Sequence, residues 1–350
     1  MSGKKRALVV CPGRGSYERG GLGQLQDRGD DARKIIAAAD SWRDTVGRPK
    51  ITDLDHAEWR NGLHVAGENA SLLTATCSLA DLADLDRSRF DVVGVCGNSM
   101  GWYTALGAAG ALDLGDTIRL IDTMGAYQEG NVLGGQLLYP VCDDDWRPDP
   151  AMSEAVEAGL EAARAAGHAA WWSIRLGGHA VLGADEGGLR FLLGHLPKIE
   201  KSGRTFPLQL PMHSAFHTPL LASTRDRALD ELGDLGFRAP DVPLTDGRGF
   251  TFRPRWASPD DLLAYTLDHQ VVETYDLTGS VAAALAWTAP DVVVALGPGN
   301  PLGGPLARIL VNAGWAGMRS KADFEARQAS DDPILLSYGM KPQRRILVGG

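Results

Sequence analysis

The chain has 350 residues, of which 44% are hydrophobic and 23% are charged, and its formal net charge is −9 at pH 7. These values are typical of a globular enzyme with one large domain or a large and a small one, and the acidic charge argues against a general nucleic-acid binder. The longest apolar runs, such as residues 290–296, have the length of a strand and are far too short to span a membrane.

The N-terminal residues and the cysteines suggest a compartment. Residues 1–6 lead into an apolar run that is too short for the core of a signal peptide. The four cysteines show no Cys-x-x-Cys spacing, and two of them lie in strand-like segments where buried free thiols are usual. We therefore expect a cytoplasmic protein with reduced cysteines.

The first part of the chain alternates strands and helices. Residues 6–11 predict a buried strand that ends in a Pro-Gly-Arg-Gly-Ser loop at 12–16. Residues 24–46 and 68–86 have helical spacing of their apolar side chains. This order predicts an α/β core with a parallel sheet.

A second strand, residues 90–96, precedes Gly-Asn-Ser-Met-Gly at 97–101 and a helix-like run. Strand, Gly-x-Ser-x-Gly and helix form the pattern of a nucleophile elbow, in which a tight turn exposes the serine hydroxyl. The start of the following helix offers free N–H groups to a developing oxyanion. The pattern favours Ser99 as a nucleophile over a simple Gly/Ser turn.

The pattern of predicted elements changes near residue 136. Strand-like segments at 136–141, 171–176, 178–183 and 205–208 alternate with helices near 151–166 and 185–195. The order β-α-β-β-α-β is that of a small ferredoxin-like unit, and we interpret residues 133–209 as such a subdomain, inserted into the core.

The core, residues 1–132 and 210–320, closes with a strand that runs into a Gly-Pro-Gly turn at 297–299. Residues 321–350 mix charge, proline and a short apolar patch, so we expect an appended surface extension.

A serine nucleophile needs a base that accepts its proton. His213 and His217 lie in a loop of small and polar residues, a suitable place for a catalytic histidine. Physical reasoning on the sequence does not choose between them.

Four motifs together resemble the malonyl-CoA:acyl-carrier-protein transacylase family. CPGRGS at 11–16 resembles its FPGQGSQ, GNSMGWYTAL at 97–106 its GHSLGEYTAL, AFHTPLL at 215–221 its AFHSPLM, and LGPGNPL at 296–302 its VGPGKVL. They occur in the family's order, and the family's fold is also an α/β core with a ferredoxin-like insert.

The resemblance implies a catalytic site. Ser99 would be the nucleophile, His217 its base, and the backbone N–H groups of Met100 and Arg14 the oxyanion hole. The backbone carbonyl of Gln270 would orient the histidine, in place of the acidic member of a hydrolase triad.

The same resemblance implies a substrate pair and a function. An acyl group, malonyl by family default, would pass from acyl-CoA through a Ser99 ester to the phosphopantetheine thiol of an acyl carrier protein, in fatty acid or polyketide-type biosynthesis. No metal or other bound cofactor is expected, and we expect a monomer that engages neither nucleic acid nor membrane.

The chain departs from the family around the acyl group. Met124 stands where malonyl-specific members have an arginine that pairs with the malonyl carboxylate. Arg175 or Arg14 could supply the missing charge, or the pocket could take an uncharged acyl group. Asn98 and Trp102 replace a histidine and an acidic residue of the family elbow, and we count both as candidate acyl-binding residues.

Other interpretations stay open. A hydrolytic member of the same family would form the same acyl-enzyme and differ only in water access. An α/β-hydrolase would need an acidic third member, and a nucleotide-binding loop at 13–18 lacks the third glycine because Glu18 stands there.

A basic surface for an acidic carrier protein could include Lys198, Lys201 and Arg204, with Arg225 and Arg227 nearby.

Overall fold

The computed structural model describes residues 3–129, 132–201 and 203–349. Its strands in chain order are β1 (Lys5–Cys11), β2 (Phe90–Gly97), β3 (Gly135–Pro140), β4 (Ala170–Arg175), β5 (His179–Ala184), β6 (Ile199–Lys201), β7 (Arg204–Phe206), β8 (Leu208–Leu210), β9 (Leu244–Thr245), β10 (Thr251–Phe252), β11 (Tyr275–Asp276), β12 (Val292–Ala295) and β13 (Leu335–Ser337).

The α-helices alternate with these strands. They are α1 (Asp30–Thr45), α2 (Ile51–His56), α3 (Asn61–His64), α4 (Gly67–Ala83), α5 (Gly101–Ala108), α6 (Leu114–Ala126), α7 (Pro150–Ala165), α8 (Glu186–His195), α9 (Ala222–Leu232), α10 (Pro259–Ala264), α11 (Gln270–Val272), α12 (Leu277–Thr288), α13 (Gly303–Asn312), α14 (Lys321–Gln328) and α15 (Lys341–Val348).

The main sheet has six strands in the order β10-β9-β2-β1-β12-β13. β1 lies at its centre and pairs in parallel with β2 and β12. Leu8, Val9 and Val10 are fully buried, because helices cover both faces of a parallel sheet and every side chain of a central strand then meets the core. The predicted α/β class with a parallel sheet is confirmed.

A second sheet has the order β11-β4-β5-β3-β8, and its neighbours β4-β5, β5-β3 and β3-β8 are antiparallel. With α7 and α8 it encloses its own apolar cluster, which includes Leu137, Leu160 and Leu182. The last predicted strand, 205–208, is divided instead between β7 and β8. The ferredoxin-like description of this unit remains our interpretation of its element order.

Residues 321–350 were expected to form a surface extension, and this expectation is wrong for β13, which lies within them. β13 pairs in parallel with β12 at the edge of the main sheet, and Leu336 and Tyr338 are buried. A Cβ atom at Gly339 would overlap the carbonyl oxygen of Gly299, so the segment also packs closely on the Gly-Pro-Gly turn. An apolar patch of three or four residues is enough for an edge strand, and composition did not separate it from a surface segment.

Over the ranges 3–129, 132–201 and 203–349, no helix combines the length and apolar character needed to cross a membrane.

Candidate active site

The nucleophile elbow is formed between β2 and α5. Ser99 has a φ of +55°, the left-handed conformation that such a turn requires and that costs a non-glycine residue free energy. A Cβ atom at Gly97 would overlap the carbonyl oxygen of Gly101, and a Cβ atom at Gly101 would overlap that of Cys11. The two glycines therefore allow the strand, the turn and the helix to approach each other.

Three of the predicted residues form one hydrogen-bonded chain. The Ser99 hydroxyl lies 2.7 Å from Nε2 of His217, and Nδ1 of His217 lies 2.6 Å from the carbonyl oxygen of Gln270. The carbonyl can only accept, so Nδ1 carries the proton and Nε2 is free to accept the hydroxyl proton. Gln270 follows a π-helical segment, Tyr265–His269, of a kind that is frequent at functional sites.

The histidine is neutral in this environment. Its side chain is buried, and burial lowers the pKa of His217 to about 4, although the hydrogen bond to Gln270 acts in the opposite direction. At neutral pH the ring is therefore unprotonated at Nε2, which is the state a general base needs. His213, the other candidate, is held by its Nδ1 at 2.8 Å from the carbonyl oxygen of Pro211. The structure brings His217, and not His213, to the serine.

Two tyrosines that the sequence analysis missed support this chain. The Tyr103 hydroxyl donates to Oε1 of Gln270 at 2.6 Å, while Nε2 of Gln270 donates to the Ser99 carbonyl at 3.2 Å. The Tyr275 hydroxyl donates to the Gly97 carbonyl at 2.6 Å, and its ring packs against His217. For Tyr103 a signal existed, since it lies four residues after Ser99 and hence one helical turn away.

The serine opens into a cavity of about 590 Å³, a size that suits a small-molecule ligand. Ser99, His217 and Gln270 line it, together with side chains of the second sheet such as Leu138 and Val181. The cavity therefore lies between the two sheets.

Met100 and Arg14 also line this cavity. In the part of the chain that the structure describes, neither backbone N–H group donates a hydrogen bond to protein. Both groups are thus available to an oxygen of a ligand.

The late Gly-Pro-Gly turn borders the same cavity through Pro301 and Leu302. Its Gly297 N–H donates to Asp81 at 2.8 Å, and the fully buried Arg28 pairs with that carboxylate at 2.7 Å. A buried charge is tolerated only when it is paired and hydrogen-bonded, so this ion pair anchors the turn to α4.

The four candidate acyl-binding residues separate into two groups. Met124 and Asn98 line the cavity. Trp102 does not: its ring is fully buried, donates to Thr266 at 3.0 Å, and meets Tyr265 edge to face. The indole is therefore a core side chain and not part of the acyl-binding wall.

Arg175 also lies outside the cavity lining. It is exposed at the end of β4 and stacks over the ring of Trp172, with its Cζ atom 4.3 Å from the ring centroid. Since side chains alternate along a strand, the cavity-facing neighbours in this region are Ile174 and Leu176.

Most cations of the predicted basic surface already have polar partners within the described residues of the chain. Lys201 donates to the carbonyl oxygens of Cys142 and Asp143 and pairs with Asp144. Lys198 donates to the Leu193 carbonyl at 2.7 Å. The two later arginines are paired with the neighbouring acids Asp226, Asp268 and Glu231. Arg204 remains exposed and lines the cavity.

The fold and this geometry define the class of the protein: an α/β protein with a nucleophile elbow and a serine–histidine pair. No family model matches the chain. In sequence it is similar to the malonyl CoA-acyl carrier protein transacylase of Escherichia coli strain K12, with 24% identity over 250 residues, 69% of this chain and 73% of that protein.

In structure it is similar to the malonyl-CoA:ACP transacylase of Synechocystis sp. PCC 6803, with a TM-score of 0.74 at 17% identity, over 98% of this chain and 100% of the other. It is also similar to a malonyl-transacylase in complex with its type II PKS acyl-carrier protein, with a TM-score of 0.72 at 17% identity, over 99% and 100% of the chains. The resemblance to the malonyl-CoA:acyl-carrier-protein transacylase family is confirmed, and the low identity makes this chain a divergent relative.

Proposed function

We propose that this chain is an acyl-CoA:acyl-carrier-protein S-acyltransferase that works through a Ser99 ester. The observation on which this depends is the 2.7 Å contact between the Ser99 hydroxyl and Nε2 of a neutral His217, at the edge of a ligand-sized cavity. The proteins it resembles are named as malonyl-CoA:acyl-carrier-protein transacylases, and one of them is in complex with a type II PKS acyl-carrier protein. Malonyl is the default acyl group, and fatty acid or polyketide-type biosynthesis the expected setting.

In the first half-reaction His217 accepts the hydroxyl proton at Nε2 while Oγ of Ser99 attacks the thioester carbonyl. The carbonyl oxygen becomes an oxyanion, which the backbone N–H groups of Met100 and Arg14 would stabilise. The C–S bond then breaks, the CoA sulfur takes the proton from His217, and an ester remains on Ser99.

In the second half-reaction the phosphopantetheine thiol of the carrier protein gives its proton to His217 and attacks the ester. The new C–S bond forms, the C–O bond to Ser99 breaks, and the serine oxygen recovers the proton. No electron is transferred in either step, so the chemistry requires no redox cofactor. The Gln270 carbonyl would stabilise the imidazolium that forms twice in each cycle, because it accepts from Nδ1–H.

We also propose that the monomer is the functional unit. Ser99, His217 and Gln270 all come from one chain and are in contact within it. The carrier protein is expected to deliver its thiol at the cavity mouth, where Arg204 is exposed and lines the cavity.

The test is intact-protein mass after mixing with malonyl-CoA, acetyl-CoA and longer acyl-CoAs, followed by addition of carrier protein in its phosphopantetheine form. We expect a stable adduct on the wild type, none on Ser99→Ala, and loss of the adduct with acylation of the carrier. Release of CoA by the wild type without an adduct or an acylated carrier would indicate the hydrolase instead. No Ser99-dependent adduct and no CoA release would disprove the enzyme assignment.

A further inference from the structure

The loop after β1 brings a cation close to the nucleophile. A Cβ atom at Gly13 would lie 3.5 Å from Cβ of Ser99, so the residue before Arg14 is in contact with the serine. The Arg14 side chain continues along the cavity wall, where it is one of the lining residues. Arg14 and Ser99 therefore line the same cavity.

The guanidinium is only partly satisfied by protein. Nη2 donates to the Met212 carbonyl at 2.8 Å, and the Cζ atom lies 4.7 Å over the ring of Phe216. Nε is buried without a hydrogen-bond partner. Among the described residues, Nη1 donates no hydrogen bond and no carboxylate lies within ion-pair distance of this arginine. Contacts with a carbonyl and an aromatic face hold the group in place but do not neutralise it.

A glycine makes room for this side chain. A Cβ atom at Gly67 would lie 2.5 Å from Nη1 of Arg14 and 2.7 Å from Cβ of Gln128. Gln128 follows Met124 by four residues and lines the cavity with it. The Arg14 guanidinium thus lies in the same wall of the cavity as Met124. It comes from the loop after β1, whereas Met124 belongs to α6.

The electrostatics of this wall favour an anion. Burial lowers the pKa of Arg14 to about 10, so the guanidinium is charged at neutral pH. His213 is neutral there, since burial first and Arg14 second lower its pKa to about 3. The positive end of α4 begins at Gly67 with no side-chain cap from Ala66. Glu68 attracts Arg14 electrostatically but forms no ion pair with it.

A half-buried charge such as Arg14 is costly without a counter-ion, and a ligand that supplies one offsets that cost. We propose that Arg14 binds the free carboxylate of a dicarboxylic acyl group, such as malonyl, in the Ser99 ester. The planar guanidinium suits a carboxylate because it offers several N–H donors in one plane. This inference rests on the proposed function and adds the residue that selects the acyl group.

The apolar neighbours fit the rest of such a group. Met124 packs with Ala215, Leu221 and Val271 in a small apolar cluster beside the serine–histidine pair. These side chains can cover a methylene or a branching methyl, while the carboxylate faces Arg14 beside them. The selected class is therefore a short acyl chain that ends in a carboxylate.

The experiment compares malonyl-CoA with acetoacetyl-CoA, which has nearly the same shape but a neutral methyl ketone in place of the carboxylate. The readout is the ratio of the kcat/KM values for Ser99 acylation, followed by quenched intact-protein mass. We expect the wild type to prefer malonyl-CoA. Arg14→Met should lower the malonyl-to-acetoacetyl ratio by about 100-fold, somewhat less than for a fully buried pair because Arg14 is only half-buried. Arg14→Lys should retain part of the preference, because the charge remains but the planar donors are lost.

Arg175→Met is the matched control, because it removes an exposed cation that stacks on Trp172 outside the cavity lining. It should not change the ratio by more than about twofold, which corresponds to roughly 0.4 kcal/mol. Arg204→Met tests the other cation that lines the cavity. Circular dichroism and thermal unfolding show whether each variant is folded. If Arg14→Met does not fold, the ratio measured for Arg14→Lys decides the test.

The outcomes separate the two proposals. A wild type that is acylated at Ser99 but prefers acetoacetyl-CoA, or an unchanged ratio in the folded Arg14 variants, would overturn the assignment of Arg14 and leave the acyltransferase intact. A shift caused by Arg204→Met alone would overturn it as well, in favour of the other cation. If no acyl-CoA labels Ser99, the proposed function is wrong and this inference falls with it.

Discussion

At the scale of single residues, the neutral state of His217 is the property on which the proposed chemistry depends most. An ordinary histidine is half protonated near pH 6.5, and a protonated ring cannot accept the serine proton. Burial disfavours the charged form of His217, whereas the Gln270 carbonyl orients the ring through Nδ1 and partly offsets that effect. The side chain of Gln270 is held in turn by Tyr103. A backbone carbonyl therefore fills the place of a carboxylate.

The pH dependence of acylation tests this state. Because the pKa of His217 is lowered to about 4, the ring stays neutral as the pH falls from 7 to 5. We expect kcat/KM for Ser99 acylation to remain nearly constant over that range and to decline only as the pH approaches 4. Acylation is measured by quenched intact-protein mass, with recovery of the full rate at pH 7 as the control for acid damage. A decline with a midpoint near pH 6.5 would contradict the assigned state.

At the scale of elements, the elbow and the loop after β1 form one unit. Gly101 is the first residue of α5, and its Cα faces the carbonyl oxygens of Cys11 and Pro12. The helix that presents Ser99 therefore packs directly on the loop that provides the Arg14 N–H. The spacing of the nucleophile and its proposed oxyanion donor depends on the absence of a side chain at this glycine.

Substituting this glycine should separate helix and loop. Gly101→Ala places a methyl group against two backbone oxygens, and overpacking of this kind costs about 1–3 kcal/mol of folding free energy. We expect urea unfolding to show a matching loss in the free energy of unfolding, and we expect slower acylation of Ser99.

Gly62→Ala is the matched control, since a Cβ atom there meets no atom within 4 Å and the residue lies in a helix. It should be neutral or slightly stabilising. Equal stabilities of the two variants would show that the close approach at Gly101 is not required.

At the scale of the whole molecule, the fold keeps several histidines in their neutral form. Besides His217 and His213, His179 lies at the start of β5 beside Arg308. Burial first, and then Arg308 and Lys201, lower its pKa to about 4. In the unfolded chain each of these rings has a pKa near 6.5. Between pH 6.5 and 4 the unfolded state therefore binds more protons than the folded state.

Stability should consequently fall as the pH drops below 6.5. At pH 5 each of these histidines lowers the free energy of unfolding by up to about 2 kcal/mol relative to neutral pH. The figure is 1.36 kcal/mol for each pH unit below the unfolded pKa of about 6.5. We expect the urea midpoint to decrease from pH 7 to pH 5, and less so in His179→Gln, which keeps a polar side chain but cannot be protonated. The same decrease in both proteins would exclude His179 as a contributor.

Local patterns in the sequence determined much of this protein. The strand–turn–helix around Ser99, the central strand β1 and the order of helices and strands in the second unit all follow from short-range periodicity and glycine placement. The AFHTPLL motif at 215–221 also identified His217, and the wider family resemblance identified Gln270, whereas physical reasoning on single histidines did not choose His217.

Only the tertiary structure decided which side chains meet. Ser99 and His217 are 118 residues apart in the chain, and Tyr103 and Gln270 are 167 apart. Periodicity tells which face of an element a side chain occupies, but not what packs opposite that face. For this reason Trp102 and Arg175 lie away from the cavity, β13 joins the main sheet, and Arg14 reaches the wall beside Met124 through the space at Gly67.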